Sequence, residues 1–329
     1  MIISRTPYRL SLFGGGTDYP AWFEKNHSRL ITAAMNKFSY ISLRETPAFV
    51  DYNYLINYSE IEKAKTIQNI KHPSARACIE KFGRNKNIQV LYDGDLPARS
   101  GIGSSSTFTV GLINALKAFN KEKVDKKTLA TLAIDLEQNI LNESVGIQDQ
   151  IAAAYGGIID ISMGPGTKWD AKNIILSKEY INELQNNILL GYSNVSRLSE
   201  THARKKVENI NKGKSLNELR EIASIANEAI DMFYKESDIQ DLGYLLKKTW
   251  DLKKKLADDV TNDHMNDIYD TGIRNGAFGG KFMGAGGGGF FYFLAPKKQH
   301  KTIINNLNKI KCWVYPKFDF EGSKLFKIG

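Results

Sequence analysis

Two glycines and four serines, set between an apolar run and a helix-like run, make Leu96 to Thr107 (LPARSGIGSSST) the first candidate for chemistry. Gly101 and Gly103 remove side chains where a ligand has to approach the backbone. Ser104, Ser105 and Ser106 bring hydroxyls and amides to a helix N-terminus, where free N–H groups and the positive dipole end favour an anion. A phosphate chain suits this geometry best, with one hydroxyl left to reach a magnesium ion. The same residues also fit a strand-to-helix turn whose serines only cap the helix. No Gly-Lys-Ser/Thr follows the glycines, so the loop is not a Walker A motif.

Three further stretches carry residue types that do chemistry. Glu137 stands at the edge of the helical stripe Leu129, Leu132, Ala133, Leu136 and Ile140, where it either meets a partner such as a cation or sits half-exposed. Asp149 lies between glutamines in the small, apolar NESVGIQDQIAAAYGG, as a helix cap or as a functional acid. Gly286 to Gly289 join the apolar FFYFL directly; the entropy cost of four glycines points to close approach of backbone or ligand, with a mobile loop as the plainer reading. In GYSNVSRLSETHARKK, Ser193, Ser196, Arg197 and Ser199 bracket a predicted strand end and helix start. They form a second candidate anion site, or a capped helix beside a solvated arginine.

The elements that must position these groups alternate. Strand-like runs are expected at Ile2–Phe13, Arg29–Ala33, Phe38–Glu45 and Phe49–Tyr58, a helix at His72–Phe82 and a strand at Ile88–Tyr92. The helix after the Gly/Ser loop is apolar nearly all round and should be internal. Asp125 caps the next helix, and strands are expected at Ile158–Met163 and Asn173–Leu176. A second unit begins near Ile188–Tyr192, with helices at Ser199–Asn211, Ser215–Lys235, Asp238–Leu256 and Asn262–Asn275. Ser215 and Glu218 have capping-box spacing. Strand, helix and strand finish the chain at Phe290–Leu294, Lys297–Lys309 and Cys312–Phe318.

With 329 residues, 42% hydrophobic and 25% charged, the chain can fill two domains or one large one. No run approaches the ~18 apolar residues of a membrane span. The charged N-terminal run reads as a strand, not a signal peptide. Cys78 and Cys312 have no metal or redox spacing, and a cytoplasmic location is expected. The net charge of +9 invites a nucleic-acid reading. Yet Lys205–Lys206, Lys247–Lys248 and Lys253–Lys255 are dispersed over helices, and an anionic small substrate or a solvated surface explains them equally.

PYRLSLFGGGTDYP, LPARSGIGSSST and GGKFMGAGGGGFF, in that order and at wide separations, resemble the galactokinase, homoserine kinase, mevalonate kinase and phosphomevalonate kinase (GHMP) family across nearly the whole chain. The resemblance implies an α+β fold of two domains. One, residues 1–185, is like domain 2 of ribosomal protein S5; the other, residues 186–329, is ferredoxin-like, and a cleft between them holds ATP and a small anionic substrate. It implies that the amides of Ser100, Gly101, Ile102, Gly103, Ser104, Ser105 and Ser106 wrap the ATP phosphates. Ser105, with Ser104 as its rival, and Glu137 would contact Mg2+.

By the same likeness Asp149 is the catalytic aspartate, Arg9 its basic partner and Asp18 an acid holding sugar hydroxyls. Gly15, Gly16, Thr17, Lys281, Gly284, Gly286 and Gly287 would line the substrate site; apart from the likeness, the anion pattern of Ser193, Ser196 and Arg197 is expected to hold a distal phosphate of that substrate. Galactokinases carry a Glu-His pair where Gly15 and Gly16 stand, so two sugar-contacting side chains are absent and a longer sugar has room. GGGTDYP with PARSGIGSSS is most similar to the heptose-phosphate kinases, with fucokinase domains next. A D-glycero-D-manno-heptose 7-phosphate phosphorylated at its anomeric hydroxyl, on the way to a surface glycan, is therefore the expected substrate. Asp149 would accept that hydroxyl's proton or only orient it. A silent sugar sensor and a basic RNA-binding protein are the other classes; neither calls for Arg9, Ser105, Glu137 and Asp149 together.

Overall fold

A computed structural model of the chain describes every residue except 167, 194–198, 258–259 and 285, and for 199–202 the backbone only. The first part runs β1 (Ile2–Phe13), α1 (Pro20–Phe23), β2 (Ser28–Glu45), β3 (Tyr54–Asn57), β4 (Ile61–Ala64), α2 (Pro73–Phe82), β5 (Ile88–Gly94), α3 (Ser104–Phe119), α4 (Lys126–Asp135), α5 (Gln148–Tyr155), β6 (Ile158–Gly164) and β7 (Lys168–Asn173). The second runs α6 (Lys178–Asn187), β8 (Ile188–Tyr192), α7 (Ser199–Asn211), α8 (Leu216–Tyr234), α9 (Ile239–Lys254), α10 (Asp263–Arg274), β9 (Gly279–Phe282), β10 (Phe290–Leu294), α11 (Lys297–Asn306), β11 (Cys312–Val314) and β12 (Lys324–Lys327). No helix among the described residues is long and apolar enough to cross a membrane.

β2 is the spine of the first sheet. One edge pairs with β1; the other takes β6 along its first half and β5 along its second. That shared role explains why the two strands expected at 29–33 and 38–45 are one. α3 is buried nearly all round, with α2, α4 and α5 about it and β1 and β2 behind it. The second sheet has the order β11-β8-β10-β9 with every pair antiparallel, which numbered along the unit is 4-1-3-2. This is the ferredoxin-like arrangement, with α7 to α10 filling the first crossover.

Several expectations shift. The strand at 49–58 contracts to β3, leaving Phe49 exposed, and the strand at 173–176 lies earlier, as β7. Ser215 makes no capping box. Its backbone is left-handed (φ 59°), and its hydroxyl faces the Lys255 and Leu256 carbonyls, 3.4 Å from each. The division at 185/186 falls just before β8, but β12 pairs with β1 from Ile2↔Lys327 to Arg5↔Lys324. The free edge of β1 thus reclaims residues 324–327 for the first sheet.

The seam between the two sheets is as apolar as either interior. Tyr8, Leu10 and Leu12 of β1 share one cluster with Leu190, Phe290, Tyr292 and Leu246. At its end the glycine-rich turn between β9 and β10 docks backbone-first on the loop before α3. Phe290 N–H donates to the Ser100 carbonyl at 2.8 Å. A Cβ on Gly284 would lie 2.8 Å from Gly101 Cα, and one on Gly289 (φ 89°) would strike the Ser100 carbonyl. Gly213 has a similar φ of 73° with nothing near it. Gly213→Ala should therefore cost only the left-handed strain, about 1–2 kcal/mol, whereas Gly289→Ala should cost at least ~2 kcal/mol more by adding the collision. Urea melts of the two variants check this; equal losses would remove the backbone contact as a constraint.

Candidate active site

The Gly/Ser loop is held by its own backbone. Gly103 is left-handed (φ 76°) and starts α3, whose first amides, at Ser104, Ser105 and Ser106, have no intrahelical acceptor. Ser104 Oγ accepts from Arg99 N–H at 3.0 Å, and Ser100 Oγ donates to the Pro97 carbonyl at 2.6 Å. Of the expected phosphate-contacting residues Ser100, Ile102 and Ser106 are buried, while Gly101, Gly103, Ser104 and Ser105 keep open surface.

Asp149 sits in the first turn of α5 and meets Arg9 of β1 in a bidentate pair, Nε to Oδ1 at 2.6 Å and the terminal nitrogen to Oδ2 at 3.0 Å. The other terminal nitrogen of Arg9 donates to the Gly101 carbonyl at 2.5 Å, and Arg9 N–H donates to the Ile102 carbonyl. Arginine, aspartate and loop are thus one unit. A Cβ on Gly103 would lie 3.0 Å from Asp149 Oδ2, so the carboxylate faces the open end of α3.

Asp18 is buried beside this pair. Its oxygens accept from Gly16 N–H (2.9 Å) and Gln148 Nε2 (3.0 Å), and any side chain at Gly146 would collide with it. Burial pushes its pKa up, the charge of Asp149 adds to this, and the Gly16 bond and Lys206 oppose it. Thr17, expected at the substrate, is fully buried with its hydroxyl donating to the Gly14 carbonyl at 2.8 Å; it shapes the turn. Gly16 (φ 110°) borders the second unit: a Cβ there would lie 3.5 Å from Leu256 and 3.7 Å from Leu219, in ordinary contact with both. Of the glycine cluster, Gly284 abuts Gly101, while Gly286 and Gly287 pack on Val260. Ser193 N–H is tied to the Gly289 carbonyl at 3.0 Å; Ser196 and Arg197 lie outside the described residues.

Glu137 is 0% exposed, which rules out the surface reading. It lies in a π-helical turn, Leu136–Ile140, that breaks the register of α4; such turns gather at functional positions. Oε2 accepts from Ser106 Oγ (2.8 Å) and Gln150 Nε2 (2.5 Å), while Oε1 is buried with no partner. Ser106, not the exposed Ser105, is the serine joined to Glu137. Burial and then Glu143 raise the Glu137 pKa to about 7, against the Ser106 and Gln150 bonds. Among the described residues no group of three His, Cys, Asp or Glu forms a metal cage. An orphaned carboxylate oxygen beside hydroxyls nevertheless fits magnesium, which takes few protein oxygens when phosphates supply the rest.

Three lysines close the site, and the sequence pointed to one of them. Lys281 Nζ donates to the Leu12 carbonyl at 2.7 Å; burial and then Arg9 push its pKa down to about 7. Lys253 Nζ donates to the Phe282 and Gly284 carbonyls at 2.8 Å, and Lys206 stands over the Tyr19 ring. Lys206 and Lys253 hide within lysine-rich helices. The signal available was helical phase: Ala203, Lys206 and Ile210 share a face, as do Leu246, Trp250 and Lys253.

Comparison with known proteins places this geometry among kinases. The model of the GHMP kinases N-terminal domain matches residues 68–157, and that of the GHMP kinases C-terminal domain matches residues 214–310. The D-glycero-alpha-D-manno-heptose 7-phosphate kinase of Campylobacter jejuni is 28% identical, with 99% of each chain covered. The mevalonate kinase of Methanocaldococcus jannaschii is 29% identical, covering 94% of this chain and 96% of that one. A crystal structure of a D-glycero-D-manno-heptose 1-phosphate kinase from Bacteroides thetaiotaomicron superposes with a TM-score of 0.81 over the full length of both chains, at 21% identity.

The raised Glu137 pKa has a measurable sign. Between its ordinary 4.5 and about 7 the folded protein holds a proton that the unfolded chain has lost. Stability of the metal-free protein should therefore be full below pH 4.5 and fall as pH rises toward 7, by up to ~3 kcal/mol. Glu137→Gln should lack this decline. Urea melts from pH 5 to 7.5 with chelator decide it, and parallel curves for the two proteins would refute the assignment.

Proposed function

The chain belongs to the GHMP family of small-molecule kinases, and from that premise we propose that it is a sugar-phosphate kinase acting on the anomeric hydroxyl of a D-glycero-D-manno-heptose 7-phosphate. One observation carries the reading. The Arg9–Asp149 pair lies against Gly103, so a carboxylate able to take a proton and a helix end able to hold a phosphate share one spot. The full-length likeness to the Campylobacter jejuni heptose 7-phosphate kinase supports the choice of substrate.

Phosphoryl transfer asks for positioning and charge neutralisation around a loose transition state. The amides at the start of α3 and the loop backbone at Gly101 and Gly103 bind the β- and γ-phosphates of ATP. Glu137, with the hydroxyls of Ser106 and Ser105, would hold magnesium, whose charge would neutralise those phosphates. Arg9 locks both Asp149 oxygens in place, and each keeps a lone pair toward the cleft. As the attacking hydroxyl bonds to the γ-phosphorus, its proton passes to Asp149 and the bond to the β-phosphate oxygen breaks, releasing ADP. Asp18 holds ring hydroxyls with the lone pairs that Gly16 and Gln148 leave open.

A panel of heptose 7-phosphate, its dephosphorylated form, galactose, fucose and mevalonate, assayed for MgATP-dependent ADP release with products identified by 31P NMR, tests the reading. The 1,7-bisphosphate is the expected product; higher kcat/KM on any other member refutes the substrate. Asp149→Asn should lower single-turnover rates by about 10²–10⁴ while MgATP still binds, and near-normal rates would exclude Asp149 as the base.

A further inference from the structure

The charges around Asp18 do not balance. Lys206, Lys253 and Lys281 are 3%, 6% and 3% exposed. With Arg9 they make four cationic side chains within electrostatic range of two carboxylates, Asp18 and Asp149. Lys253 and Lys281 give hydrogens to backbone carbonyls. Lys206 does not: among the described residues its Nζ has no hydrogen-bond acceptor, only the Tyr19 ring at 5.3 Å. Burying an ammonium with all three N–H groups unmet is expensive unless a ligand satisfies them.

Its position says which ligand. Lys206 lies on α7, the helix that the Ser193-to-Ser199 stretch leads into, with Ala203 and Ile210 buried on the same face. α7 packs on α1, and Asn209 Nδ2 donates to the Leu256 carbonyl at 3.0 Å, beside the leucine that faces Gly16. Asp18 feels both Asp149 and Lys206, and Lys206 in turn acts on Lys253 and Lys281 as well as on Asp18. Asp18, next in sequence to the Tyr19 ring that Lys206 covers, thus has the transfer carboxylate and the Lys206 ammonium both within electrostatic range. One turn beyond Lys206 the α1–α7 seam opens into a cleft of about 300 Å³, with Lys25 and Arg220 on its wall.

We propose that Lys206 is the specificity residue for the sugar's distal phosphate, received between α7 and the Gly14–Asp18 turn while the anomeric hydroxyl lies at Asp149. This rests on the sugar-phosphate reading above. A phosphate fits because basic groups outnumber acidic ones here and the unmet donors come from a single compact ammonium.

The test is a comparison of substrates in Lys206→Met, which keeps the stem, and Lys206→Arg, which keeps the charge. In Lys206→Met, KM for heptose 7-phosphate should rise about ten- to a hundredfold, the usual loss of one charge-assisted contact. KM for MgATP and kcat/KM for dephosphorylated heptose should stay within about threefold, and Lys206→Arg should recover most of the loss. Equal damage to both sugars would make Lys206 a counterion of Asp18 alone, and no damage to either would leave it no role; both outcomes overturn the proposal. If Lys206→Met does not fold, Lys206→Gln is compared with wild type for competition by inorganic phosphate against heptose 7-phosphate: weaker competition in the variant supports the site, and equal competition in both, or none in wild type, overturns it. A wild type indifferent to the sugar's phosphate would sink the sugar-phosphate reading itself. A discriminating wild type with an equally discriminating Lys206→Met would sink only the Lys206 assignment.

Discussion

Backbone touches backbone where the loop before α3 meets the turn between β9 and β10, and the site depends on that contact. Phe290 N–H on the Ser100 carbonyl fixes the second sheet to the loop, and the glycines on both sides allow no Cβ between them. Arg9 reads the same loop from the other side, through the Gly101 and Ile102 carbonyls. Displacing the loop would therefore move the phosphate-binding end of α3, the Arg9–Asp149 pair and the closure of the two units together. Such sites need support that holds geometry to a fraction of an ångström, and here mutual main-chain contact supplies it.

A second layer of the design is electrostatic. Glu137 and Asp18 are buried acids with raised pKa values, and Lys206, Lys253 and Lys281 are buried bases with lowered ones. Each group opposes folding while its charge lacks a full partner. Cold calculation of stability would replace them with apolar residues; their retention around one loop marks a place where function outweighs stability.

What the sequence disclosed followed from how local each signal was. The Gly/Ser loop, the glycine cluster and the acid in GIQDQ stand out from their neighbours, and the order of the second sheet agrees with the ferredoxin-like expectation. Glu137 could be located but its burial could not, because that depends on a π-helical turn and on Gln150 thirteen residues on. That Ser106, one helical step from Ser105, is the serine bonded to Glu137 lies below the resolution of pattern reading. The leucines that border Gly16, Leu219 and Leu256, lie more than two hundred residues away, beyond the reach of local pattern. Lys206 and Lys253 were obscured by their lysine neighbours, and β12, short and charged, has no apolar alternation to betray it.

The return of β12 has a consequence for the order of synthesis. The outer edge of β1 takes its partner from residues 324–327, so nearly the whole chain is translated before that edge is covered. Until then β1 presents an unpaired strand, the kind of surface that invites wrong partners. β2 guards its opposite edge early, and the alternating Arg5 and Arg9 place charge along β1 itself. Final closure of the first sheet is thus a late event that waits for the second unit to be made, which binds the two into one cooperative folding reaction.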